Sequence, residues 1–377
     1  MIITCMETCM RKLSILLPFA MLSSGYVLDA HSTEISPYIV NGTSVTDSEI
    51  FNTYPTFTSL YFHNGSSFGN YCGATLINSQ YILTAAHCVH DDQGTPNYNG
   101  MLHSWAVPRM ADEAQYNTGA YLSGRVEEVY FPSTYNENLN PSLGPVLPDD
   151  IAIMKLESAI NVSDYQSRIN STVDNSYALN NGSDTFRAVG RGLIEGQASS
   201  NGKVLQTNLT IQSIATCGSS TTSKQLCFTG IQQGNYKNST CNGDSGGPVY
   251  WWDGSEYKQV GITSYGPQTC GDPNQSYTSV FTEVYDYSAW ISNVLNGTED
   301  PKYIVQKSAD SRQLIEKSTG FVKATSSALV NSTVMPAIST SSSTSSSSSN
   351  TGGGGGSLGY LSFLLISAAL FRRKLTS

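Results

Sequence analysis

The sequence predicts an all-β domain of many short strands that closes with a single late helix. Short apolar runs recur between clusters of turn residues, at lengths that suit strands better than helices. Only 13% of the 377 residues are charged, while Ser, Thr, Asn, Gly and Tyr are plentiful. That composition fits an exported β-rich protein with polar loops better than a cytosolic helical one. Helical spacing comes late, at Tyr287, Trp290, Ile291, Val294 and Leu295, with Gly297 placed to end the helix.

In chain order, Arg11-Lys12 followed by the apolar run Leu13 to Leu22 has the charge and apolar parts of a secretory signal, assigned to residues 1–25. Met10 serves as a start for this pattern as well as Met1. A short pro-segment over 26–38 follows, ending at Tyr38. The main domain is expected over 39–297. Its first clear hairpin is Gly73 to Ile77, a turn at Asn78-Ser79-Gln80, then Tyr81 to Thr84. Asn140 to Pro148 is punctuated by prolines and cannot be helix, so a loop bordering a cleft is expected there. Asn208 to Ile211 reads as a strand, and Asp253-Gly254 turns Val249 to Trp252 back into Lys258 to Ile262. Residues 298–351 are expected to be a flexible stalk, Ser/Thr-rich from Ser339, and 352–377 a tail. That tail is a glycine run, an apolar segment Leu358 to Phe371 and Arg372-Arg373-Lys374. The apolar segment is shorter than the ~20 residues of a stable spanning helix.

The net charge of −9 argues against a phosphate-backbone partner, so no nucleic acid is expected. Eight cysteines are present; Cys5 and Cys9 fall before or within the signal, leaving six for the mature region. An even number in an exported chain reads as disulfides. Asp91-Asp92 could suggest a calcium loop, but two adjacent acids read better as a solvated turn, and no metal is expected. His31, His63, His90 and His103 have no motif around them and are expected at the surface.

Chemistry concentrates in Thr240-Cys241-Asn242-Gly243-Asp244-Ser245-Gly246-Gly247-Pro248. Glycines flank a nucleophile where the backbone must approach the reacting group and aim its N–H donors there. The Gly-x-Ser-x-Gly pattern also matches the nucleophile elbow of α/β-hydrolases. An elbow leads into a helix and its acid and histidine follow the serine; here Pro248 and an apolar strand follow. The partners lie upstream instead, His87 in Leu83-Thr84-Ala85-Ala86-His87-Cys88 and Asp150 in Asp149-Asp150-Ile151-Ala152-Ile153.

These blocks, in the order His, Asp, Ser, and the segment Ile39-Val40-Asn41-Gly42 resemble chymotrypsin/trypsin-like serine proteases over Ile39 to about Leu295. The resemblance implies two antiparallel six-stranded β-barrels with a C-terminal helix. It implies Ser245 as nucleophile, His87 as base, Asp150 rather than Asp149 as its partner, and Gly243 and Ser245 N–H groups as the oxyanion hole. Cleavage before Ile39 would free an α-amino group to pair with Asp244. Cys72–Cys88, Cys217–Cys227 and Cys241–Cys270 are the implied bridges; Phe186 and Trp251 stand where many relatives carry another. Ser239, Thr240, Ser264, Tyr265, Gly266 and Ser279 are the implied substrate-binding positions. Ser239 stands where trypsin-like members carry aspartate, which implies a preference for large apolar or aromatic residues. Lys/Arg selectivity, or a weakly catalytic binding module on the same fold, is the alternative. No cofactor is implied; the expected partners are protein or peptide substrates, and the expected state is a monomer. The tail resembles the GlyGly-CTERM sorting signal of secreted bacterial trypsin-like proteases of the Vibrio type. It implies a tail-processing membrane protease, type II secretion machinery, export through the periplasm to the medium or cell surface, and transient or permanent membrane attachment.

Overall fold

A computed structural model describes residues 39–337, apart from 92, 119–120, 136–137, 141–143, 163, 166–176, 178–185, 195–199 and 219–220. The expected signal, the pro-segment with Tyr38, the Ser/Thr run and the glycine tail lie outside the described residues. Among the described residues no helix is long and apolar enough to cross a membrane.

Six strands form the first barrel: β1 (Phe57–His63), β2 (Phe68–Leu76), β3 (Tyr81–Thr84), β4 (Ser104–Pro108), β5 (Gly124–Tyr130) and β6 (Ala152–Leu156). They pair antiparallel in the order β5-β4-β1-β2-β3-β6, and β5 pairs with β6 to close the ring. Closure leaves no free edge within the ring. A second ring follows from β7 (Phe186–Gly190), β8 (Leu205–Gln212), β9 (Gln225–Thr229), β10 (Pro248–Trp252), β11 (Tyr257–Tyr265) and β12 (Ser279–Glu283). Its order is β8-β7-β10-β11-β12-β9, closed by β8 on β9. The fold is therefore all-β, two closed six-stranded antiparallel barrels, as expected.

Both hairpins anticipated in the sequence are present. β2 and β3 turn through Asn78, whose side-chain carbonyl accepts from the N–H groups of Gln80 and Tyr81. β10 and β11 turn through Asp253, whose carboxylate caps Ser255 and Glu256 N–H groups. The late helix, α2 (Ser288–Leu295), buries Ile291 and Val294 in the core of the first barrel, beside Tyr287 from the turn before it. Gly297, at φ +77°, ends it by donating to Val294. Phe186 and Trp251 are cross-strand partners on β7 and β10, and the Tyr177 ring packs 6.5 and 5.7 Å from them. Aromatic packing fills the space between these two positions.

Two expectations need correction. Residues 303–326 are not stalk: they form β13 (Tyr303–Lys307), β14 (Arg312–Glu316) and β15 (Val322–Ser326), an antiparallel meander added to the first barrel through β5. Tyr303 and Leu314 are buried in that barrel's core. Each strand has only five residues and Arg312 points inward, so its apolar side is too brief to read as a pattern. The second concerns the histidines: His63 and His103 are buried, at 7% and 3% exposure. His103 follows the short helix α1 (Tyr98–Leu102), itself covered by β14 and β15. His90 is half-buried, and His31 lies outside the described residues.

Candidate active site

His87 follows β3 and Asp150 precedes β6. Those strands are neighbours with Thr84 opposite Ala152, so both side chains leave the same end of the first barrel. The His87 ring nitrogen Nδ1 lies 2.8 Å from Asp150 Oδ2, and His87 N–H donates to Asp150 Oδ1 at 2.9 Å. Two contacts on one carboxylate fix both the plane and the position of the imidazole. Asp149 is turned away, accepting from Lys224 Nζ at 3.0 Å and Tyr287 Oη at 2.6 Å.

Asp150 is fully buried and also held from the second barrel. Ser264 Oγ donates to Oδ2 at 2.5 Å and Thr282 Oγ1 donates to the Asp150 carbonyl at 2.8 Å. Burial pushes the carboxyl up, but the His87 charge, the His87 and Ser264 hydrogen bonds outweigh it and hold the group below the ordinary carboxylate value. Ser264 sits at a register shift between Thr263 and Tyr265, where β11 bulges against β12. The extra residue re-aims the side chain toward the acid. The sequence reading placed Ser264 only among the substrate-binding positions. Its hydroxyl contact with Asp150 had no sequence signal, because a bulge has none here.

Ser245 occupies the turn before β10 and is half-buried. Its carbonyl accepts from Gly73 N–H on β2 at 2.7 Å, and Gly246 N–H donates to Thr263 at 2.8 Å. The turn is thus pinned to both barrels. Glycine is required here: Gly246 has φ +74°, and a Cβ would stand 2.2 Å from Thr84 Oγ1 and 2.5 Å from the Gly73 carbonyl. Gly243, at φ +96°, lies so close to Gly192 that a Cβ would come within 2.9 Å of its Cα.

Asp244 is also fully buried, with Oδ1 accepting from Gly192 N–H at 2.7 Å and Oδ2 from Cys241 N–H at 2.8 Å. Burial pushes its carboxyl up to about 7, and those two N–H groups lower it only in part. Ile39 and Val40 are fully buried, and Asn41 Nδ2 donates to the Tyr236 carbonyl at 2.9 Å. Val40 lies against Gly271, next to Cys270, the partner of Cys241.

Ser239 is fully buried, and its hydroxyl lies 2.6 Å from the Thr240 carbonyl and 3.0 Å from that of Thr278. Thr240 Oγ1 donates to Ser279 Oγ at 2.8 Å. These groups make a neutral hydroxyl lattice. A Cβ on Gly266 would meet the Thr278 carbonyl at 2.8 Å, so this strand lies close against its neighbour. Tyr265 packs with Tyr277 on Val280 and the Cys217–Cys227 bridge. Asp272 is occupied in a surface turn, accepting from Asn274 N–H and Nδ2.

The three bridges are Cys72–Cys88, Cys217–Cys227 and Cys241–Cys270. Cys72, His87 and Cys88 bring their ligand-type atoms within 4.8 Å of one another. Both sulfurs are joined in the bridge and offer no thiolate to a metal. Asp91 accepts from Gln93 and Thr95 N–H groups and so caps a turn; Asp92 is outside the described residues.

Two closed barrels with a histidine, a buried acid and a glycine-flanked serine between their ends define a serine hydrolase of the two-barrel class. A family model described as Trypsin matches residues 39–291, and the chain belongs to that family. Similar proteins include CLIP domain-containing serine protease B4 of Anopheles gambiae, 31% identical over 60% of this chain. The chain covers 62% of that protein's length, less than two thirds. Chymotrypsin-like elastase family member 1 of Bos taurus is 28% identical over 71% of this chain and 95% of its own. Trypsin, alkaline C of Manduca sexta is 28% identical over 73% of this chain and 97% of its own. The protein is a serine endopeptidase, a hydrolase.

Proposed function

We propose that Ser245 Oγ attacks the scissile carbonyl while His87 takes its proton and returns it to the leaving amine, through an acyl-enzyme that water then hydrolyses. Asp150 holds the imidazole tautomer and stabilises the imidazolium. The N–H groups of Gly243 and Ser245 stabilise the oxyanion, each donor typically contributing about 2.7–4 kcal/mol. The observation that carries this reading is the 2.8 Å contact of His87 Nδ1 with a carboxylate at zero exposure, on the side that leaves Nε2 for the serine. Ser245→Ala tests it: peptidase activity should fall about 10⁴-fold or more with the fold retained. Undiminished turnover, with contaminating protease excluded, would rule the assignment out.

The substrate pocket is built on Ser239, Thr240, Gly266 and Ser279, with the backbone of Ser264 to Gly266 pairing with the substrate as an added strand. Hydroxyls that already bond one another offer no countercharge to Lys or Arg, whereas a neutral pocket accepts an aromatic or aliphatic side chain. The relatives bear both elastase and trypsin names, so the pocket chemistry, not the comparison, supports large apolar residues on the acyl side. Cleavage of a peptide library should be dominated by such residues. A profile dominated by Arg would require an acid from elsewhere.

The protein is made as a zymogen and exported. Cutting before Ile39 frees an amine that pairs with Asp244, a buried carboxylate whose contacts in the uncut chain are neutral N–H groups. Tyr38, which precedes that bond, suits the enzyme's own pocket, so one mature molecule processes the precursors of others. A Ser245→Ala precursor should stay uncut alone and be trimmed by a trace of active enzyme. Self-activation fails if it stays intact while an unrelated chymotrypsin-like enzyme cuts a peptide spanning Tyr38–Ile39. The GlyGly-CTERM-like tail is removed by a membrane protease during type II secretion, leaving a monomeric enzyme outside the cell.

A further inference from the structure

We propose that Arg125 and Arg312 hold a small inorganic anion, a halide, at the seam between the first barrel and the β13–β15 meander.

The two arginines come from different layers: Arg125 from β5, and Arg312 from β14 of the meander. They are 1% and 0% exposed. Arg125 Nη1 donates to the Leu329 carbonyl, and its guanidinium lies 5.0 Å from the Trp105 ring centre. Ring stacking uses the guanidinium face and leaves its N–H edge free. Arg312 Nη2 meets the Glu157 carboxylate and the Val126 carbonyl. Among the described residues, four buried nitrogens then have no hydrogen-bond partner: Nε and Nη2 of Arg125, Nε and Nη1 of Arg312. The Nδ1 atom of buried His103 is likewise without one.

Charge weighs more here than hydrogen bonding. A guanidinium does not shed its proton in proteins. Two positive groups therefore face Glu157, which pairs with Arg312 and reaches Arg125 only through its charge; its side chain is 26% exposed. The groups feel each other: Arg312 lowers Arg125, and both lower His103, which burial and their repulsion push down to about 4. His103 is thus neutral and adds no charge. Water would satisfy N–H groups but leave the excess positive charge uncompensated, and an unpaired buried charge is expensive. An anion supplies both. A monatomic anion accepts N–H groups from any direction, which suits guanidinium edges arriving from two separate strands. Binding there would hold the meander to the barrel, since each layer brings one arginine.

The full chain carrying Ser245→Ala, which keeps autolysis out of the melting curve, is unfolded thermally at fixed ionic strength while gluconate is exchanged for chloride. The midpoint should rise with chloride, the apparent unfolding constant falling about tenfold per tenfold chloride above the dissociation constant. Bromide should substitute, and crystals grown in bromide should give an anomalous peak in contact with both guanidiniums. Arg312→Met should abolish the halide response. If that variant does not fold, the titration and the bromide map of the unaltered pair decide. A midpoint flat in halide, or ordered water with no bromide peak between the arginines, overturns the proposal.

Discussion

Replacing Asp244 by asparagine in the uncut precursor separates the folding role of this acid from its proposed role after cleavage. The folded carboxyl is raised from 3.8 to about 7 by burial. A raised acid contributes stability that is fully present below its unfolded value and is lost as pH climbs through the folded one. Between pH 4 and 7 the precursor should therefore lose on the order of 4 kcal/mol through this group alone. Glu283, also raised to about 7 by burial, titrates in the same window but is common to both proteins and cancels in the difference. Asparagine has no charge to lose, though its NH2 would face one of the two donors that Asp244 accepts from, a loss of about 1–3 kcal/mol at every pH. The variant should thus be less stable at pH 4 and gain on its parent as pH rises toward 8. Urea unfolding of the two Ser245→Ala precursors, measured from pH 4 to 8, reads this crossing. Parallel stability curves would refute the reasoning, because they would mean that Asp244 is already ionised or compensated. After cleavage before Ile39 the parent's decline should shrink, since the new amine supplies the missing charge. An unchanged decline in the cut protein would show that the amine does not reach Asp244.

Glycine demand in the nucleophile turn can be compared with that in a surface turn. Gly246→Ala meets Thr84 and Gly73 and should cost about 3 kcal/mol or more. Gly254→Ala, at φ +101° with open space around it, should cost about 1–2 kcal/mol; equal urea midpoints would contradict this. Ending the chain after Gly297 removes Tyr303 and Leu314 from the first core and should lower the melting temperature by several degrees or abolish soluble protein. An unchanged melting temperature would return the meander to the status of a dispensable stalk. Intact mass of protein from the medium should lack Leu358 to Ser377, and a full C-terminus would favour a permanent anchor.

By itself the sequence determined the strand-rich class, the two hairpins, the late helix and the residue blocks around His87, Asp150 and Ser245. Each of these is local: turn residues at fixed offsets, an apolar face within a few positions, glycines at positive φ. Bridges and barrel closure came from resemblance, because pairing between β5 and β6 or β8 and β9 joins strands far apart in the chain and leaves no short-range pattern. Tertiary structure alone decided the rest. The bulge at Ser264 turns its hydroxyl onto Asp150; a one-residue register shift is a property of two strands and is invisible in either. Residues 303–326 resemble spacer in the sequence because their five-residue strands bury only a few side chains each and acquire an apolar face only when set against β5 and α1. His103 has no motif around it in the sequence, and Arg312 carries a charge of the kind that is normally solvated. Only the packing of the meander over the barrel removes their water, and with it creates the buried positive charge that nothing in the local sequence announces.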